Sequence, residues 1–180
     1  MGEFQELVDA HYQGLYRFAL SLSRDGAVAA DLVQETFCIW AEKNDQLRDR
    51  SKAKTWLFTT LHREFLGHRR KTARYSGEPV PDETPTLDPV TGVDRQMDGQ
   101  RAIELLGALD EIYRAPVALF YLQQHSYKEI AEVLAVPIGT VMSRISRGKE
   151  LLRKRMAAEP SSAPKNILQL EPEGLRHHHG

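Results

Sequence analysis

The chain has a single cysteine, Cys38, in 180 residues. That excludes an internal disulfide and any cysteine-built zinc site, and it suits a reducing compartment. No run of about 18 apolar residues occurs, so no helix is expected to span or insert into a membrane. Residues 4–23 are amphipathic and charged throughout, which does not fit a signal peptide. Period-two alternation is missing, so no strand is expected. Also missing are a Gly-rich phosphate loop, a metal-ligand set and a nucleophile–base pair. An enzyme is therefore the least expected class, with no catalytic residue, metal or cofactor. His11, His62, His68 and His125 are scattered and read as surface groups, and His177, His178 and His179 are given no metal role.

What is present is charge, and it is segregated. The formal net charge is −1, which on average argues against a nucleic-acid partner. Residues 1–40, however, hold six acids and two bases, and residues 62–74 hold five bases and one acid. Residues 75–100 hold six acids (Glu78, Asp82, Glu83, Asp88, Asp94, Asp98) and one base, and residues 138–156 hold six bases and one acid. Two basic blocks separated by acid suggest two nucleic-acid contacts on one chain.

Hydrophobic periodicity predicts an all-α protein of two small helical domains joined by an extended acidic linker. Phe4, Leu7, Val8, Tyr12, Leu15, Tyr16, Phe18, Ala19 and Leu22 recur at three- and four-residue steps, a helix with one buried stripe. A break at 23–26 precedes a second helix over 27–42, with Ala30, Val33, Phe37 and Trp40 on its apolar line. Residues 43–54 read as a loop. A third helix over 55–72 carries Trp56, Leu57, Leu61, Phe65 and Leu66. Residues 75–99 have no helical period and hold four prolines and three glycines, which marks the domain boundary. The expected units are thus 1–74, a linker over 75–99, 100–158, and a loose tail over 159–180. The second unit opens with helices over 100–109 and 114–123, Pro116 falling in the first turn of the latter. Two short helices and a long basic tail helix follow.

Within the second unit, Ser126-Tyr127-Lys128-Glu129 fits a capping box. Ala135-Val136-Pro137-Ile138-Gly139 reads as a turn. Val141 and Ile145, four apart, face inward on the next helix, so Thr140, Ser143, Arg144 and Arg147 share the exposed side. This is a helix-turn-helix pattern. Short hydroxyls can reach phosphates, and an arginine can fork onto guanine O6 and N7. The plainer reading is a helical hairpin with a solvated basic face, but the one-signed charge through Met156 favours DNA.

The stretch from Leu119-Phe120-Tyr121-Leu122 through Ser126-Tyr127-Lys128-Glu129-Ile130-Ala131 to Gly139-Thr140-Val141-Met142-Ser143-Arg144 and Arg147-Gly148-Lys149 resembles the carboxy-terminal domain of extracytoplasmic-function (ECF) sigma factors. Ala30-Asp31-Leu32-Val33-Gln34-Glu35-Thr36-Phe37 with Trp40 resembles that family's polymerase-binding helix. Thr55-Trp56-Leu57-Phe58 with His68-Arg69-Arg70 resembles its melting and minus-ten helix. The three motifs stand in the family's order across residues 4–156.

The resemblance implies a set of sites. Asp31, Gln34, Glu35 and Cys38 would dock on core RNA polymerase, at the beta-prime coiled coil, with the beta flap a further contact. Lys52, Lys54, Phe58, His62, Arg63, Arg69, Arg70 and Lys71 would hold the minus-ten element as a melted strand. Ser126, Thr140, Met142, Ser143, Arg144, Ser146, Arg147 and Lys149 would read the minus-thirty-five duplex. The implied partners are core polymerase, promoter DNA and an anti-sigma factor. The implied location is the cytoplasm, on the nucleoid when bound to polymerase. Trp56, on the apolar stripe, is weighted toward core, while Phe58 is balanced between core and base stacking. The family's turn usually has glycine where this chain has Ala135. Alanine at positive φ costs roughly 1 kcal/mol, so this turn is expected to be differently shaped or slightly strained. Two other classes fit the same residues: a helix-turn-helix regulator working outside polymerase, and a module that sequesters another protein.

Overall fold

A computed structural model describes residues 2–77 and 99–158. The linker acids Glu78 to Asp98 and the tail from residue 159 lie outside them. Among the described residues there are seven α-helices and no strand. They are α1 (Gly2–Ser23), α2 (Gly26–Lys43), α3 (Ala53–Ser76), α4 (Gly99–Leu106), α5 (Glu111–Tyr121), α6 (Tyr127–Leu134) and α7 (Ile138–Ala158).

The first three helices form one bundle. The break before α2 is a cap: the Asp25 Oδ1 atom accepts from the amides of Ala27 (2.9 Å) and Val28 (3.2 Å), satisfying two of the donors that every helix start leaves open. Residues 43–54 are less loop-like than their polarity suggests. They hold two 3-10 turns, Asn44–Gln46 and Arg50–Lys52, and α3 starts at Ala53. Leu15, Phe18, Ala19 and Leu22 of α1 meet Ala29, Leu32, Val33, Phe37 and Trp40 of α2 and Leu57, Phe58, Leu61 and Phe65 of α3, all buried. Each large side chain so placed contributes about 1.5–3 kcal/mol. Ala30, expected inside, is exposed, while Ala29 and Leu32 are buried in its stead. Of the buried hydroxyls Ser21, Thr36 and Thr60, the first two are satisfied locally: Ser21 donates to the Phe18 carbonyl and Thr36 to the Leu32 carbonyl, each at 2.7 Å.

In the second bundle the helix over α5 begins at Glu111, so Pro116 stands inside it rather than in its first turn. Its first turn is tight, with the amides of Tyr113 and Arg114 both donating to the Asp110 carbonyl. The separate recognition and tail helices expected from the sequence are one continuous helix, α7. It crosses α5 closely at Gly148, where an added Cβ would stand 2.5 Å from Val117 Cγ2.

The largest difference from expectation is the relation of the two bundles. They are packed together: α1 and α3 carry α4, α5 and α6, and one continuous apolar core runs through both. A helical unit of about 60 residues buries only a marginal core by itself. Here Leu22, Phe58 and Leu66 of the first bundle find cover in the second, and Ile112 and Leu134 of the second in the first.

Candidate functional site

Three candidate surfaces follow from this fold. On α2, Asp31, Gln34, Glu35 and Cys38 are all exposed, and their three- and four-residue steps put them on one side of the helix. The side chains opposite, Leu32, Val33, Thr36 and Phe37, are buried, so the acidic face is free of structural duty.

On α3, Arg63, Arg70 and Lys71 are exposed, as is Lys52 just before it. The other residues of the candidate single-strand surface are engaged. The Lys54 ammonium donates to the Gln123 carbonyl at 3.3 Å. Arg69 forms an ion pair with Glu111 of α5. His62 is half-buried at the same seam. Phe58 corrects the sequence reading: it is 1% exposed, its ring 5.5 Å from Phe18 and 4.8 Å from His125. It is a core residue, unavailable for base stacking in this arrangement. Trp56 is the partly exposed aromatic, edge-on to Trp40 at 5.1 Å.

The helix-turn-helix forms as the sequence predicts. The Glu129 amide donates to Ser126 Oγ (3.1 Å), and the Ser126 amide donates to Glu129 Oε1 (3.3 Å), a complete capping box. Ala135 adopts φ 54°, ψ 46°, so the strained form of the turn is the one present. The Pro137 carbonyl then takes the first bonds of α7, from Thr140 (3.0 Å) and Val141 (3.2 Å). Ile138 and Met142 are about half exposed at the head of α7, with Thr140, Ser143 and Ser146 partly exposed beside them and Ser126 exposed at the start of α6. Arg147 is partly exposed and donates to Glu150 Oε2 at 2.8 Å. Lys154 meets the same carboxylate at 3.3 Å, and these bonds hold the Glu150 carboxyl below its usual range.

Two members of this set are corrected. Arg144 is 8% exposed and faces the seam between the bundles, beside His62, Arg69 and Glu111, rather than sharing the open side with Arg147. Lys149 is 4% exposed, its ammonium 5.5 Å and 5.4 Å from the ring centroids of Phe120 and Tyr121, a cation–π arrangement that uses the charge inside the fold. His125, read as a surface group, is 1% exposed with neither ring nitrogen hydrogen-bonded. Burial pushes it down to about 4, and the nearby Lys54 charge adds to this. His11 is lowered for the same two reasons.

The seam itself was not legible in the sequence. Besides Arg69–Glu111, Arg114 Nη1 donates to the Leu22 carbonyl (3.3 Å) and its Nε to the Leu109 carbonyl (2.8 Å). A cavity of 230 Å³ remains there, walled in part by His62, Phe65, Arg69, Glu111, Val136 and Arg144. No group of metal-binding side chains occurs among the described residues, and no described helix is long and apolar enough to cross a membrane.

Among the described residues, an all-helical fold with an exposed acidic face, a basic helix and a capped helix-turn-helix has the make-up of a DNA-binding protein. Comparison with known proteins narrows this. Residues 7–75 match the model for sigma-70 region 2, and residues 99–152 that for sigma-70 region 4. The ECF RNA polymerase sigma factor SigL of Mycobacterium tuberculosis is 31% identical over 151 residues, covering 82% of this chain and 85% of that protein. SigE of Mycolicibacterium smegmatis is 35% identical over 167 residues, 89% of this chain, which spans only 64% of that protein. Among solved structures, the sigma factor RpoE in complex with the anti-sigma factor NepR from Bartonella quintana aligns with a TM-score of 0.71 at 30% identity, over 88% of this chain and 99% of that one. The chain belongs to the ECF RNA polymerase sigma factor family.

Proposed function

We propose that this protein binds core RNA polymerase and directs it to promoters, reading the minus-thirty-five element as duplex and the minus-ten element as a melted strand. Region 2, placed at 1–74, docks through Asp31, Gln34, Glu35 and Cys38. Its cations Lys52, Arg63, Arg70 and Lys71 line the path of the single strand, where charge follows the backbone and unstacked bases find pockets. Region 4, placed at 100–158, sets the head of α7 in the major groove. The acidic linker 75–99 joins them, and an anti-sigma factor is the expected antagonist.

The single observation that supports this best is that each of three independent surfaces falls on its own element in the family's order, with the docking carboxylates exposed and unused by the fold. No step needs a catalytic residue here: at about 1–3 kcal/mol per stacked or pocketed base, two captured bases tip a short weak duplex. The test is in vitro transcription with core polymerase on a promoter library. Selective start sites dependent on this protein are expected. Tight specific DNA binding by the protein alone, with no gain in start-site selectivity from core, would instead identify a regulator that acts outside polymerase.

A further inference from the structure

Ile138 and Met142 at the head of α7 are 50% and 48% exposed. They lie four residues apart, so they share one side of the helix, about 6 Å apart along its axis. The core is on another side, where Val141, Ile145 and Leu152 are buried. A Cβ added at Gly139, next to Ile138, would meet no atom within 4 Å, so the surface here is open. A single exposed apolar side chain is ordinary. Here two adjoin at the end of the helix that carries the reading residues. The Ser143 hydroxyl beside them donates to the Thr140 carbonyl at 3.1 Å, so its proton is turned back into the helix. Neither apolar side chain can pair with a polar base edge: isoleucine has no donor or acceptor, and the methionine sulfur accepts only weakly. In the major groove guanine, cytosine and adenine present polar groups, and thymine alone adds an apolar one, its 5-methyl. Against guanine or cytosine the patch would strip water from polar atoms and return no hydrogen bond, which costs free energy. Against a methyl it removes apolar area from water on both partners. Base pairs rise about 3.4 Å each, so the two side chains cover neighbouring pairs.

We infer that Ile138 and Met142 together select promoters by packing on thymine 5-methyl groups at neighbouring base pairs of the minus-thirty-five element. This rests on the promoter-reading assignment above and deepens it: it adds Ile138 to the reading surface and names the base. The selection is for an A·T pair through its methyl, separate from any hydrogen-bonded contact that Arg147 makes.

The test uses the full chain with core polymerase. Transcription from a library randomised at the minus-thirty-five element first gives the preferred hexamer, which should hold A·T pairs at neighbouring positions. Each thymine there is then replaced by deoxyuridine, which deletes the methyl and nothing else. Each replacement should lower promoter use about fourfold, the value of one buried methyl group. Cytosine at the same position should be used poorly, and 5-methylcytosine should recover part of the loss. In Met142→Ala and Ile138→Ala, thymine and deoxyuridine should be used alike at the position that each residue reads, whereas Met142→Leu, still apolar, should keep the discrimination. Circular dichroism checks that the variants fold. A preferred hexamer without thymine overturns the inference, as does deoxyuridine used as well as thymine by the wild type. A methyl effect of equal size in both alanine variants also overturns it. If core polymerase gains no start-site selectivity, the same library is bound to the full chain alone. A methyl preference there that the alanine variants lose leaves the inference standing while the sigma assignment falls, and no methyl preference removes both.

Discussion

The Phe58 ring meets the His125 ring nearly edge to face, with centroids 4.8 Å apart, across 67 residues of sequence. Neither ring nitrogen of His125 has a hydrogen-bond partner, so the imidazole is held as a neutral aromatic wedge between the bundles. Its pKa falls to about 4 because burial disfavours the cation, with Lys54 repelling it further. In the unfolded chain the ring titrates near 6.5. Above that pH both states are neutral and no stability is at stake. Between 6.5 and 4 the unfolded chain takes up a proton that the fold refuses, so stability declines across that window, by about 3 kcal/mol in all. Urea unfolding at pH 7 and pH 5 should show the decline, and His125→Phe should flatten it. His11, lowered in the same sense, leaves a residual slope. An equal slope in the variant would remove His125 from the account.

Ala135→Gly should stabilise the protein by about 1 kcal/mol, because glycine adopts the left-handed turn without the Cβ penalty. For a chain of this size that is a rise of about 2–4 °C in Tm. A lower Tm would mean that alanine's smaller loss of chain entropy on folding outweighs the strain.

Gly148→Ala should destabilise by about 1–3 kcal/mol, since its Cβ would overlap Val117 Cγ2. Val117→Ala should rescue part of this loss, giving a double-mutant cycle that is not additive. Additive losses would place the strain elsewhere.

Glu35→Ala should leave thermal stability within about 0.5 kcal/mol, as expected for an exposed position, while weakening binding to core polymerase. A desolvated ion pair broken there costs about 2–5 kcal/mol. Fluorescence anisotropy with purified core enzyme reads this directly, and an unchanged Kd would move the docking face away from α2.

Arg147→Ala should lower use of particular upstream hexamers by about 1–3 kcal/mol if the guanidinium leaves Glu150 to read a base. A uniform loss over all templates assigns it to a phosphate. Transcription from a randomised minus-thirty-five library distinguishes the two.

Local chemistry was legible from the sequence. The α1 stripe, the capping box at Ser126 and Glu129, the exposed carboxylates of α2 and the strain at Ala135 each depend on neighbours within one or two turns. What was illegible depends on partners far along the chain. Helical spacing put Arg144 on the open side with Arg147 and left Phe58 balanced between core and base stacking, and both are buried, because a face is buried or open according to what packs on it and here the other bundle does. His125 gave no signal of burial, because the residues that enclose it lie in α3. The Pro116 register was misjudged because Asp110 and Glu111 carry no apolar period, so the first turn of α5 was read as loop.

The continuity of α7 has a mechanical corollary. At 1.5 Å per residue its 21 residues form a rod of about 31 Å, with Ile138 and Met142 at one end and Arg153, Lys154 and Arg155 at the other. Whatever grips the far cations therefore steers the head of α7 as a lever does, setting its pitch at a distance.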